Sequence, residues 1–506
     1  MPIFRAPARS VALLSSFTIL GGCVTREMPR LDAGVLPSTW TFGPTTRPGS
    51  PQADLVDWWR RSRDPILSLL VDRALAGNPL IEEALYRVRA ARALARADDS
   101  VRYPQGTPRA GVEITSRLVG PPSGLNEAGE AQGQGTRRTV GIVQAGVDAT
   151  WEFDLFGRLG SQVRAAESNA EASVEELEGV RITLAADVVR TYVELRGAQR
   201  RRSVIISDIA ARRQLVELVN SQRVAGLAGE FDVERAKATF EAARARLPVA
   251  EVAIDTALQR LAILVGGTTA NLDLRRIANR IPNLMPPGAT LPADLVRMRP
   301  DVRRSEKVVL QRAALADVAY AEMFPRLTLA GSIEVRANVL AMPIAGTPVT
   351  ISGGPGISVP LFDWGQRRAV HDAREAGLKE AIAAYRRTVL EAVSDVEIAL
   401  ATATQVLRRV ERLRTASEAA RRARDTAQKL YHEGAIGLTE RLQAETDFRQ
   451  AEFDLAESSE AYAISIVTLH RSLGAGPRRM PSLPAPTAAP PLAASNLAAV
   501  MSDGRP

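Results

Sequence analysis

From Val147 to Phe153 the apolar residues Val147, Ala149, Trp151 and Phe153 alternate with Asp148, Thr150 and Glu152. That period of two sets one face of a strand in an apolar medium and the other in water. Val112, Ile114 and Leu118 alternate in the same way with Glu113, Thr115 and Arg117. Leu327, Leu329, Ile333 and Val335 alternate with Thr328, Ser332, Glu334 and Arg336, and Val349, Ile351, Ile357, Val359 and Leu361 with Thr350, Ser352 and Ser358. The runs predict four strands, about 109–118, 140–153, 327–336 and 349–361. Any one of them would also suit a soluble sandwich, but strands of about ten residues with one apolar and one polar face form the pattern of a transmembrane β-barrel. Four strands cannot close a barrel, and an open edge in lipid leaves backbone groups unsatisfied at several kcal/mol each. Two copies would give eight strands and a filled interior, whereas three would give twelve and room for a passage.

Past Gly157 and Gly365 the alternation stops. Proline is absent from Ser123 to Leu247 and from Leu361 to Gly476, and Ala, Arg, Glu, Leu and Gln, strong helix formers, dominate. Helices are expected at about 158–225 and 231–264, and again at about 366–433 and 438–473. The first of each pair would extend on the order of 100 Å at 1.5 Å per residue. Gly226-Leu227-Ala228-Gly229 and Gly434-Ala435-Ile436-Gly437 supply the turns, and Pro248 is expected to kink the first return helix. Each return helix is about half as long as its partner, so 66–76 with 80–101, and 293–297 with 302–321, are expected to complete that wall.

The two halves are copies. At an offset of 208, Gly157 matches Gly365, Asp187-Val188 matches Asp395-Val396, Gly226 matches Gly434, Phe240 matches Phe448 and Gly266 matches Gly474. Upstream the offset is 221, pairing Asn78-Pro79 with Arg299-Pro300 and Tyr103-Pro104 with Phe324-Pro325. The extra residues fit an exposed loop from Val119 to Arg138. This divides the chain into a first repeat at 54–280, a proline-rich linker at 281–292, a second repeat at 293–474 and a Pro/Ala-rich tail at 477–506 that reads as disordered.

Composition narrows the chemistry. Aromatic residues are only 5%, too few for a large conventional core, which suits helices packed side by side around a lumen. The formal charge is +8, and acidic and basic residues alternate along the helices, as in Arg181, Asp187, Arg190 and Glu194, so a self-paired surface is expected and nucleic acid is not. His371, His432 and His470 show no metal-ligand spacing and are expected at surfaces or interfaces; no catalytic or metal site is expected. The glycines Gly353, Gly354 and Gly356 fall in a strand, where close backbone approach is the expected reason.

Cys23, the sole cysteine, follows Leu20-Gly21-Gly22 and a short apolar run behind Arg5 and Arg9. The run is too short to span a bilayer, and the pattern resembles the lipobox of a bacterial lipoprotein. Residues 1–22 are then a signal peptide, Cys23 carries N-acyl and S-diacylglycerol groups, and 23–53 form an extended tether. Val24 follows where an aspartate would resemble an inner-membrane retention signal, so the outer membrane is favoured.

With this lipobox, Trp151-Glu152-Phe153-Asp154-Leu155-Phe156-Gly157-Arg158, its echo Pro360-Leu361-Phe362-Asp363-Trp364-Gly365, and Arg299-Pro300-Asp301-Val302 resemble the TolC-like outer membrane factor family, in its lipidated OprM/NodT branch. The resemblance implies a mainly α fold with membrane β: a homotrimer whose twelve strands form a β-barrel continuous with a long periplasmic α-helical barrel. It also implies a passive exit duct for small molecules in tripartite efflux, fed by an inner-membrane pump, of the resistance-nodulation-division (RND) type, through a periplasmic adaptor. Val224, Ala225, Gly226, Leu227, Gly434, Ala435 and Ile436 would be adaptor-contacting tips, although a plain helical hairpin needs the same glycines. Glu440, Gln443 and Asp232 would constrict the pore; Glu440 could instead pair with Arg441 or Arg235, and the amide at Gln443 and the apolar Ile436 depart from the family's pattern of a charged latch. Gly157 and Gly365 would form the strand-to-helix junctions. Type I protein secretion shares this architecture, and a non-conducting envelope lipoprotein is the other alternative, disfavoured because a tether needs no alternating strands.

Overall fold

A computed structural model describes residues 40–41, 55–119, 136–267, 274, 280–287, 298–338 and 349–479. The signal peptide, Cys23, most of the tether, the interior of the 119–138 loop, the end of the linker and the tail from 480 lie outside the described residues. After a short 3-10 helix at Trp58–Ser62 come α1 (Pro65–Gly77), α2 (Pro79–Ser100), β1 (Gln105–Val119), β2 (Thr136–Phe153), α3 (Arg158–Val224) and α4 (Glu230–Leu264). The second half contributes α5 (Pro300–Ala321), β3 (Arg326–Asn338), β4 (Val349–Ser358), α6 (Gln366–His432) and α7 (Leu438–Ser472). Shifting α3 and α4 by 208, or α2 by 221, reproduces the bounds of α6, α7 and α5 residue for residue.

The four strands form one antiparallel sheet in the order β1-β2-β3-β4, so β1 and β4 are its edges. The register aligns Pro108, Val147, Ile333 and Ile351 in one row and Thr107, Asp148, Ser332 and Ser352 in the next. Alternate rows therefore build one apolar and one polar face. Ile351 is 76% exposed and Ile333 54%, an apolar face that no described residue of the chain covers. Gly353 sits where a Cβ would meet the Ala330 carbonyl at 3.0 Å, the close backbone approach expected of a strand glycine.

Helices α3 and α6 are each 67 residues, about 100 Å long. Helix α4 continues through the exposed Pro248, so the proline removes a backbone hydrogen bond without dividing the element. The 35-residue return helices α4 and α7 are extended by α2 and α5, stacked end to end upon them. Asn78 Nδ2 donates to the Leu264 carbonyl at 2.7 Å, and Arg299 Nη1 donates to the Ser472 carbonyl at 2.7 Å. Leu264 and Ser472 are repeat equivalents, as are Asn78 and Arg299, so both joints are tied at the same place by chemically different donors.

The main core lies at these joints. Trp58, Trp59, Leu67 and Val71 pack on Val188, Val189, Tyr192 and Leu195 of α3 and on Ile466, Val467 and Leu469 of α7. His470 belongs to it, at 1% exposure and stacked on Trp58 with centroids 4.2 Å apart, which corrects the expectation of a surface or interface histidine. The imidazole serves as a flat core ring that also contacts the Met285 carbonyl through Nε2 at 3.0 Å. Arg196 is also buried but paired: it donates to Gln199 Oε1 at 2.8 Å and Tyr192 Oη at 3.0 Å, and the Tyr192 hydroxyl donates to Asp64 at 2.8 Å. Within the expected tether, the Thr41 N–H reaches Glu397 of α6 at 2.8 Å and Trp40 packs against the main core.

Candidate functional site

Both hairpin tips close with the same backbone device. Gly226 (φ +76°) and Gly434 (φ +73°) occupy the left-handed region, which costs an L side chain energy. Leu227 N–H donates to the Gln222 carbonyl and Gly226 N–H to Arg223; Ala435 and Gly434 do the same to Leu430 and Tyr431. Each pair is a Schellman closure that satisfies the last carbonyls of a long helix. At the first tip Val224 and Leu227 are about four-fifths exposed, and Phe231, which sequence reasoning passed over, is 73% exposed. The second tip differs: Ile436 is half-buried, and Leu438 packs on the cluster of Val219, Val233 and Ala236 in the first hairpin. Gln222 Nε2 donates to Tyr431 Oη at 2.7 Å, so a hydrogen bond and an apolar contact join the two hairpins at their far ends. Tyr431 was also missed; an aromatic three residues before the turn glycine was the available signal.

The residues expected to constrict a pore all stand at these tips. Asp232 accepts the Gly229 N–H at 3.1 Å and so caps α4. Its equivalent Glu440 lies over Gly437, with Oε2 2.8 Å from where a Cβ would be, while Arg441 sits over the Tyr431 ring at 5.1 Å. Gln443 is exposed one turn further and donates to Asp447 at 2.8 Å.

At the other end, Gly157 (φ +74°) and Gly365 (φ +84°) are the N-caps of α3 and α6 and have no side chain to cap with. Upstream carboxylates take that place. Asp154 accepts from Leu159 N–H at 3.0 Å and Gly160 N–H at 2.7 Å; Asp363 accepts from Gly365 N–H at 3.1 Å and from the Arg367 side chain at 3.1 Å. The Gly365 N–H chiefly, and Arg367 besides, hold Asp363 below the ordinary carboxylate range. Arg158 clamps Glu152 at the end of β2 through two bonds of 2.9 and 2.8 Å, fixing the angle at which strand becomes helix.

Helical hairpins about 100 Å long thus continue through capped junctions into a sheet whose apolar face no described residue covers. No described helix is long and apolar enough to cross a membrane. The family model for outer membrane efflux proteins matches residues 70–267 and 291–475, and the chain belongs to that family. It is 29% identical over 475 residues to outer membrane protein OprJ of Pseudomonas aeruginosa, covering 93% of this chain and 97% of OprJ. It is 25% identical over 466 residues to nodulation protein T of Rhizobium leguminosarum bv. trifolii, covering 90% and 95%. Among solved structures, the outer-membrane channel OprN superposes with a TM-score of 0.75 at 31% identity, over 87% of this chain and 99% of OprN. The open-state MtrE channel of Neisseria gonorrhoeae gives 0.77 at 25% identity, over 90% and 98%. The chain is an outer membrane channel component of tripartite efflux, with a TolC-like fold and a periplasmic helical part.

Proposed function

We propose that three copies of this chain form the exit duct for small toxic molecules delivered by an RND-type inner-membrane pump through a periplasmic adaptor. The observation that carries this reading is the continuity of a four-stranded sheet, apolar on one face, with helical hairpins about 100 Å long. The sheet alone cannot close, and three copies supply twelve strands around an open passage. The tips at Val224–Leu227 and Gly434–Ile436, farthest from the sheet, are where the adaptor docks, with exposed Val224, Leu227 and Phe231 as its apolar contacts. SepC and the toluene efflux pump outer membrane protein TtgF, both of Pseudomonas putida, are relatives named for efflux, which supports small-molecule cargo over secreted protein.

Cys23 is acylated in this reading, and its lipid assists targeting more than retention, because twelve strands already hold the assembly in the bilayer. Purified protein should run as a trimer and conduct in planar bilayers. Deleting the gene should sensitise cells to small toxic compounds while leaving secreted protein levels unchanged. A trimer that never conducts would overturn the duct, and loss of a secreted protein without sensitisation would make it a secretion conduit. Mass spectrometry of the mature N-terminus checks acylation, and Cys23→Ala behind a cleavable signal should still give membrane-inserted trimers.

A further inference from the structure

The chain carries its own template for the contact between protomers. Inside one chain the first half meets the second where β2 pairs with β3. At the helical end of that pairing Phe156, in the turn after β2, stacks on Phe324, in the turn before β3, with centroids 4.8 Å apart and planes 18° apart. Just below, Arg164 of α3 pairs with Asp317 of α5 at 3.5 Å. These four residues clasp one half to the other.

The repeat equivalents of this clasp are on the page, but they face outward. Phe156 corresponds to Trp364 at the offset of 208, and Phe324 to Tyr103 at the offset of 221. Trp364 is fully exposed, and its backbone is held at φ +52°, a conformation that costs a non-glycine residue energy. Tyr103 is 62% exposed. Trp364 follows the edge strand β4 and Tyr103 precedes the other edge strand β1, so antiparallel pairing of β4 with β1 of a second copy brings the two turns together at one end of the sheet. By the same offsets Arg164 corresponds to Asp372 and Asp317 to Arg96. The signs of both charges are reversed, so the pair remains complementary. Both side chains are exposed in the single chain, Asp372 having Arg368 at 3.8 Å and His371 Nδ1 at 3.3 Å as its own-chain neighbours.

We propose that the seam between neighbouring protomers repeats the seam between the halves of one chain, with Trp364 stacked on Tyr103 of the next protomer and Asp372 paired with Arg96 of the next protomer. The inference rests on the trimer reading and adds to it a residue-level register. The reversed charges also give the seam a direction. Head-to-tail closure matches acid to base at each boundary, whereas the same patch meeting itself would set like charges together.

The test uses the full-length chain reconstituted in liposomes, with trimer mass and bilayer conductance recorded for each preparation. Trp364→Cys combined with Tyr103→Cys, treated with a short bis-maleimide, should give covalent dimers and trimers; each single-cysteine variant, whose only other cysteine is Cys23, S-acylated in the proposed reading, should give none. Asp372→Arg and Arg96→Asp should each lower the temperature at which the trimer dissociates, and the two together should restore it. Conducting trimers without cross-linking in the double-cysteine variant, or a charge-swapped double variant no more stable than the singles, would overturn the seam and leave the duct standing. A wild-type chain that is not trimeric would overturn both.

Discussion

Two long helices that begin at glycine depend on carboxylates outside the helix, and that dependence gives stability a pH signature. Asp363 lies below its ordinary value because Gly365 N–H and Arg367 favour its charged form. Burial alone would raise Asp301, but its bonds to Arg299 outweigh burial and bring it below the ordinary value as well. For both, the folded-state value lies under the unfolded one of about 3.9. Their contribution is therefore complete above that value and is lost as pH falls through the depressed folded values. Asp187 has the opposite sign: burial raises it, with Arg471 and Arg190 opposing, so its charge is a penalty that acid relieves. Asp363→Asn should lower the neutral-pH unfolding temperature and flatten its acid dependence, while Asp187→Asn should raise it. Melting of the detergent-solubilised protein across the acid range checks both signs, and a fall for Asp187→Asn would show that Arg471 outweighs burial.

The elements are coupled through glycines that recur in pairs, yet paired glycines differ in what surrounds them. The left-handed glycines among the described residues are Gly157, Gly226 and Gly266 and their equivalents Gly365, Gly434 and Gly474. A Cβ at Gly226 or Gly434 meets nothing, so alanine there costs only the backbone, about 1–2 kcal/mol. At Gly266 the Cβ would overlap the Gly77 carbonyl where α4 abuts α2, so Gly266→Ala adds about 1–3 kcal/mol of overpacking to the same strain. Unfolding of the three variants should rank Gly266→Ala lowest by a clear margin; equal losses would mean that the joint can open to admit a methyl group. This is also where sequence reading divides. Glycine offsets and proline-free stretches mark the long helices, and strand alternation marks the sheet, because each follows from local backbone and side-chain periodicity. The joints were not legible: Asn78 and Arg299 are unlike side chains doing the same job, and only coordinates show both reaching equivalent carbonyls. His470 escaped for a related reason, since its stacking partner Trp58 lies at the opposite end of the chain.

As a whole molecule the single chain is unfinished, with two free sheet edges and an uncovered apolar face at one end and two hairpins tied together at the other. In the proposed trimer the sheet is completed and the expected constriction lies at the hairpin tips, where the tie within one chain includes few interactions. Gln222 to Tyr431 is one neutral hydrogen bond, worth about 1 kcal/mol net. Made only while the hairpins are together, it biases the closed over the separated arrangement by about fivefold. Tyr431→Phe keeps the ring under Arg441 and deletes only the hydroxyl. It should raise resting conductance in planar bilayers by about that factor, from a closed state that still rejects large ions. Gln222→Leu should match it, and the double variant should add nothing further, because a single bond can be removed only once. No change with Tyr431→Phe would locate the restraint elsewhere, in the packing of Leu438 against Val219 and Val233, where Leu438→Ala should then open the channel.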